Sequence, residues 1–247
     1  MKRTLEILIV FLCGVIFANG QTTAIPDADF EQQLITLGID SNGLNGNILN
    51  TDAQAVTTLT LTGTTAITNL TGLEAFTNII TLDIGTNLVS TVPLTTLIAL
   101  ETFKLNNNSL TTLDLTQNTA LRILNLSNSS GGVPPISLTT LNLSANVKLE
   151  NLTVKFFTRL TTLILPVTPT LTTISLSRLG DPTLDFSSLS NLEYLTINQS
   201  AVTVLITLSS TYTSLKKIEI TSISIPYINL SNFVNLESLN STNKCNF

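Results

Sequence analysis

Histidine is absent from the 247 residues, so neither a Ser-His-Asp nor a Cys-His constellation can form, and no imidazole can ligate a metal. The 16 carboxylates are sparse, and no two are placed to raise one pKa and lower the other, which acid–base hydrolysis needs. These absences predict a protein that is not an enzyme and uses no cofactor. Asp40-Ser41-Asn42-Gly43-Leu44-Asn45-Gly46 begins like a calcium loop, but Leu44 stands where a fifth-position oxygen is needed and no glutamate closes it. A turn is expected there, with no metal. What remains is recognition chemistry. Lys155, Phe156, Arg178 and Tyr194 stand out from a background of small polar residues, and aromatics beside Arg are typical binding hot spots that can also stack on a sugar ring. Phe156 has an alternative, turning inward to fill the core, which Phe157 could do instead; Tyr194 is balanced between contact and packing.

The elements that must position these residues follow from self-similarity. The pattern Leu-x-x-Leu-x-Leu, with apolar equivalents, begins at Val56, Ile79, Leu100, Leu121, Leu149, Leu171, Leu192, Leu215 and Leu236. Steps of 21 to 28 residues separate these starts, and lengths of about 20 to 29 belong to leucine-rich repeats. Each repeat lays one short strand into a parallel sheet on the concave side of a solenoid. The long step carries Ser129-Ser130-Gly131-Gly132-Val133-Pro134-Pro135, whose Gly and Pro mark an inserted loop. Eight residues before most starts comes a second apolar pair: Val92/Leu94, Leu113/Leu115, Leu141/Leu143, Leu163/Leu165, Leu184/Phe186 and Ile228/Leu230. Alternate residues of an extended segment face the same way, so each coil points apolar side chains inward from two walls. Only stacked coils can bury both walls. The expected fold is therefore a leucine-rich-repeat solenoid of the α/β horseshoe class, mostly β, with about nine parallel strands.

Ahead of the array, Ile25 to Gly38 has Pro near a helix start, acids in the first turn and Gly after the end. Phe30, Leu34 and Leu37 share one face, so residues 21–55 read as an N-terminal helical cap over the first coil, followed by the array over 56–247. Lys2 and Arg3, the apolar run Ile7 to Ala18 and the exit Ala18-Asn19-Gly20 describe a secretory signal over 1–20. The run is too short for a membrane-spanning helix, which needs about 20 apolar residues, so no membrane insertion is expected after cleavage. Losing two of 11 basic and one of 16 acidic residues takes the net charge from −5 to about −6, which disfavours nucleic acid. Of the two cysteines only Cys245 remains, so no internal disulfide is available. Sequons such as Asn69, Asn125, Asn151 and Asn229 arise from the grammar of the repeat and carry little weight.

With Leu at positions one, four and six of each strand, positions three, five and seven face solvent on the concave side. Position five reads Thr60, Asp83, Lys104, Asn125, Thr153, Ser175, Thr196, Glu219 and Asn240, about 4.8 Å apart from coil to coil. Asp83 and Lys104 are expected to pair as a surface contact.

Ile25-Pro26-Asp27, Phe30-Glu31-Gln32 and Gly38-Ile39-Asp40, then Leu70-Thr71-Gly72-Leu73-Glu74-Ala75-Phe76-Thr77-Asn78 and repeats such as Leu110-Thr111-Thr112-Leu113-Asp114-Leu115, carry a likeness. The chain resembles secreted bacterial leucine-rich-repeat proteins with 21-residue units, over nearly all its mature length. The resemblance implies a secreted or cell-surface protein with a binding or adhesive role, its ligand a protein or a carbohydrate, and brings no catalytic residues. A structural spacer in a larger envelope protein is the alternative. There are two departures. The turn Asn present as Asn87 and Asn108 becomes Phe157, Leu179, Ser200 and Ile223, and the chain stops at Phe247 with no terminal cap. Exposed leucines there would cost about 25 cal/mol per Å², so a fragment, or an end that associates with a partner, is expected.

Overall fold

The structure is a computed structural model that describes residues 21–62, 67–129, 137–180, 182–198, 206–207, 213–221 and 233–241. The signal segment, residues 130–136 of the inserted loop, the Ile228/Leu230 pair, Ser200, Ile223 and Cys245 lie outside the described residues.

Alternation of inward Leu or Ile with outward Thr, Ser and Asn makes a half-buried strand in every coil. These are β1 (Thr58–Leu61), β2 (Thr81–Ile84), β3 (Thr102–Asn106), β4 (Ile123–Ser127), β5 (Asn151–Lys155), β6 (Thr173–Ser177), β7 (Tyr194–Asn198), β8 (Lys217–Thr221) and β9 (Ser238–Ser241). They form one nine-stranded sheet in which each strand pairs in parallel with its sequence neighbours. Register is kept throughout: Thr60, Asp83, Lys104, Asn125, Thr153, Ser175, Thr196, Glu219 and Asn240 form one row. Position four is fully buried from Leu59 to Ile218, and each such side chain stabilises the stack by about 1.5–3 kcal/mol.

The opposite wall is the second apolar pair. Thr140–Asn142 pairs in parallel with Thr162–Ile164, and Leu184–Asp185 with Ile206–Thr207, while Leu141, Leu143, Leu184 and Phe186 point into the core. Between the walls run buried asparagines that tie coil to coil. Asn87 Nδ2 donates to Leu61 O at 3.1 Å and its Oδ1 accepts from Ile67 N at 3.2 Å. Asn108 donates to Gly85 O at 2.7 Å and Asn106 O at 2.9 Å, and accepts from Val89 N at 3.1 Å. On the far side, Asn118 donates to Leu94 O and Leu97 O, and Asn146 to Leu115 O and Asn118 O. A buried backbone group without a partner costs about 1–3 kcal/mol, and these side chains supply the partners where the chain turns.

Ahead of β1, Thr22–Ala24 pairs antiparallel with Asn47–Leu49; the expected cap helix is α1 (Ala28–Thr36), and a second, short helix not expected from the sequence, α2 (Asn50–Gln54), leads into the array. Asp27 caps α1 by accepting from Asp29 N and Phe30 N, and its second oxygen accepts from Thr68 N, Thr68 Oγ1 and Asn69 N. One carboxylate thus starts the helix and fastens it to the next coil. Burial pushes this carboxyl up, but the bonds from Thr68, Phe30 and Asn69 outweigh it and hold it below its usual value. Phe30 and Leu34 are buried, whereas Leu37 is 49 % exposed, because the helix ends at Thr36 and Leu37 is its C-cap. Gly72, with φ +105°, lies where the leading strand crosses the array; a Cβ there would stand 2.7 Å from Ala24 O, so only glycine fits.

Candidate functional site

The concave sheet presents a centre and two edges. Its centre is the small polar row at position five. Asp83 and Lys104 stand side by side in register, but the expected pairing is not made: the described residues form three ion pairs, none between these two, and Asp83 Oδ1 has no hydrogen-bond partner.

At the leading edge, position two stacks Glu101, Arg122, Glu150, Thr172, Glu193, Lys216 and Glu237, each backbone N–H after the first donating at 2.8–3.0 Å to the carbonyl of the residue before it in this row. Arg122 Nη2 lies 2.7 Å from Glu150 Oε1, and Lys216 Nζ 2.7 Å from Glu193 Oε2. The bond from the Glu193 carboxylate raises the Lys216 ammonium above its ordinary value. Tyr194, at position three, is 42 % exposed, with Lys216 Nζ 5.8 Å from its ring centroid. Assigning positions three, five and seven to solvent leaves this row out. The sequence held the signal, since the register that aligns the leucines also aligns position two.

At the trailing edge the chain must leave the strand and drive position nine inward. In three coils it does so through a left-handed residue at position eight, Asn107 at φ +50°, Phe156 at +63° and Arg178 at +51°, whereas Thr86 and Asn128 at the same position do not adopt this conformation. The N–H groups of the left-handed three donate to the next coil's position-seven carbonyl, Asn107 to Ser127, Phe156 to Ser177 and Arg178 to Asn198, at 2.8–2.9 Å. The corner settles the choice between the adjacent phenylalanines. Phe157 falls at position nine and is fully buried, while Phe156 is left half-buried outside. Arg178 Cζ lies 5.2 Å above the Phe156 ring, and Lys155 sits at position seven in register with Ser127 and Ser177.

The structure therefore brings Lys155, Phe156 and Arg178 together and sets Tyr194 apart. Four residues along a strand, about 13 Å, separate position three from position seven.

The Asp40 to Gly46 turn closes on the buried Glu31, whose Oε1 accepts from Asn45 N, Gly46 N and Asn47 N at 2.8, 2.7 and 3.1 Å. Donors, not acceptors, thus converge on that side of the turn. Among the described residues no three of His, Cys, Asp and Glu are grouped to hold a metal, and no helix is long and apolar enough to cross a membrane.

No protein-family model matches the sequence, and no curated protein matches it. Solved structures do. Internalin C2 from Listeria monocytogenes superposes with a TM-score of 0.57 at 17 % identity, over 89 % of this chain and 98 % of that one. The functional domain of InlJ from Listeria monocytogenes, described as including a cysteine ladder, gives 0.43 at 20 % identity. That match covers 90 % of this chain, which spans 62 % of the InlJ chain. Internalin InlF from the same organism gives 0.38 at 13 % identity, over 90 % of this chain and 97 % of that one. Identities this low speak to fold alone, and the two lower scores add no weight. The chain has the leucine-rich-repeat solenoid fold of bacterial proteins of this kind, with a parallel sheet of nine strands and few helices.

Proposed function

We propose that the chain is a secreted or cell-surface binding module, exported by residues 1–20 and capped by 21–55, that holds a protein ligand against its concave sheet. The observation that carries this reading is the trailing-edge group on that sheet: Lys155 beside an exposed Arg178 stacked on Phe156, above an in-register row of small polar side chains. A stacked solenoid holds such groups at set spacing before a ligand arrives, so little ordering entropy is spent on association. Two of the three sites, Phe156 and Arg178, occupy a backbone conformation that costs non-glycine residues about 1–3 kcal/mol, and such strain collects at functional positions. Tyr194 is a second contact at the far edge, engaged with Lys216.

The test is selection of a phage-displayed random peptide library on the immobilised chain. Thr153→Lys with Ser175→Glu covers the sheet centre with long side chains at unchanged net charge. Thr140→Lys with Thr162→Glu does the same on the back wall, where these two residues are also registered neighbours. Selected peptides should bind the back-wall variant like the parent and the concave variant about tenfold more weakly. No enrichment, or peptides indifferent to the concave pair, would favour the spacer instead.

A further inference from the structure

We infer that the partner presents an acidic, extended protein segment to the trailing edge of the fifth and sixth coils, a proposal that rests on the concave-face reading above. The two edges differ in how their charges are spent. At the leading edge Arg122 and Lys216 are neutralised by Glu150 and Glu193, and nearby Lys217 by Glu219 at 3.0 Å. At the trailing edge no Asp or Glu occupies position seven or eight in any described coil, and among the described residues no ion pair reaches Lys155 or Arg178. Two unpaired cations thus stand on adjacent rungs of a chain whose net charge is −5. Lys104, Lys148 and Arg159 are also outside the three ion pairs, but only Lys155 and Arg178 stand on adjacent rungs of one edge, and neighbouring cations on an acidic protein attract an anionic partner more strongly than isolated ones.

The geometry also narrows the class of anion. Arg178 Cζ stands 5.2 Å from the Phe156 ring centroid, a cation–π contact that uses none of its N–H donors in an ion pair and leaves them for a carboxylate, which a guanidinium can meet in bidentate fashion. Arg178 sits over one face of the half-buried Phe156 ring, which leaves less open ring for a sugar to stack on and favours an acidic peptide over a glycan. Ser177 flanks Lys155 in register, so the edge can also donate a neutral hydrogen bond to a peptide carbonyl, whereas on the other side the Ser127 hydroxyl already donates to Asn125 Oδ1 at 2.6 Å. Coils rise about 4.8 Å each and alternate side chains of an extended peptide lie roughly 6.6 Å apart, a difference that the long Lys155 and Arg178 side chains can span to meet successive carboxylates.

The experiment is fluorescence anisotropy of labelled poly-glutamate and poly-lysine peptides, and of a sulfated oligosaccharide, titrated with the full chain. Poly-glutamate should bind and poly-lysine should not, and binding should fall steeply as salt shortens the screening length from about 30 Å at 0.01 M to about 3 Å at 1 M. Lys155→Glu with Arg178→Glu should weaken it about tenfold or more, while Arg122→Glu with Lys148→Glu, an equal change of charge before the strands, should stay within about twofold. Lys155→Gln with Arg178→Gln gives the same readout should charge reversal prevent folding. Equal losses in both pairs, binding of the sulfated oligosaccharide alone, or no binding would overturn the proposal. The two readings separate cleanly. Library peptides blocked by the concave pair but indifferent to residues 155 and 178 remove the acidic partner and leave the concave site standing.

Discussion

The third coil and the fifth turn the same corner with different residues. Around Asn107 and Asn108 the corner is polar: Asn107 adopts the left-handed conformation that short polar side chains tolerate, and the Asn108 side chain replaces missing backbone partners with four hydrogen bonds. Around Phe156 and Phe157 the corner is apolar. Phe157 fills the space with a ring, and Phe156 accepts a strained backbone that Asn would adopt at lower cost. Stability in the first region comes from satisfied hydrogen bonds, in the second from packing. The exchange leaves the outer position of the second corner free to carry a large side chain, and there the Phe156 and Arg178 stack is found.

Five substitutions test this contrast. Phe157→Ala removes a fully buried ring and should cost about 3–5 kcal/mol, read as a lowered denaturation midpoint; a loss under about 1 kcal/mol would mean the apolar corner does not hold by packing. Asn108→Ala should cost about 2–3 kcal/mol, because it removes the side-chain partner of Val89 N and Asn106 O and leaves Gly85 O only the long 3.5 Å bond from Asn87 Nδ2, and Asn108→Leu should not rescue it. If Leu does rescue, the two corners are interchangeable and the contrast fails.

Phe156→Asn should act in the opposite direction, raising stability by about 1 kcal/mol in thermal denaturation as the left-handed strain is relieved, while weakening binding of the selected peptides. The smallest effect concerns Asp27, which replaces backbone partners at the cap as the asparagines do in the array, but with a charge. Its folded pKa lies below its unfolded value, so its contribution is present above about pH 3.9 and is lost as pH falls through the lower folded value. Asp27→Asn should therefore flatten the acid limb of the stability curve, whereas Asn108→Ala should shift the curve without changing that limb.

Much of the fold was legible because leucines at positions one, four and six can share one interior in only one register, and the back-wall pairs repeat eight residues earlier. The cap helix was legible from Asp27, Phe30 and Leu34, though Leu37 escaped because a helix that stops one residue sooner turns it to solvent. Lys155, Phe156, Arg178 and Tyr194 could be singled out by type alone, yet their grouping could not. Whether two exposed residues meet depends on which edge of the sheet each occupies. The buried Asn118 and Asn146 were hidden for a related reason: an asparagine in a Thr- and Asn-rich chain carries no mark of burial until the carbonyls of Leu94 and Leu115 are placed beside it.

Residue order by itself determined the coil, its repeat length and the inward set, since alternation and periodicity are local properties of an extended chain. Which phenylalanine faces out, which charges cancel and where Tyr194 stands were decided only when coils stacked. Stacking brings together residues more than 20 positions apart, as with Lys216 and Glu193, and the left-handed corner sets which side of the wall each one meets.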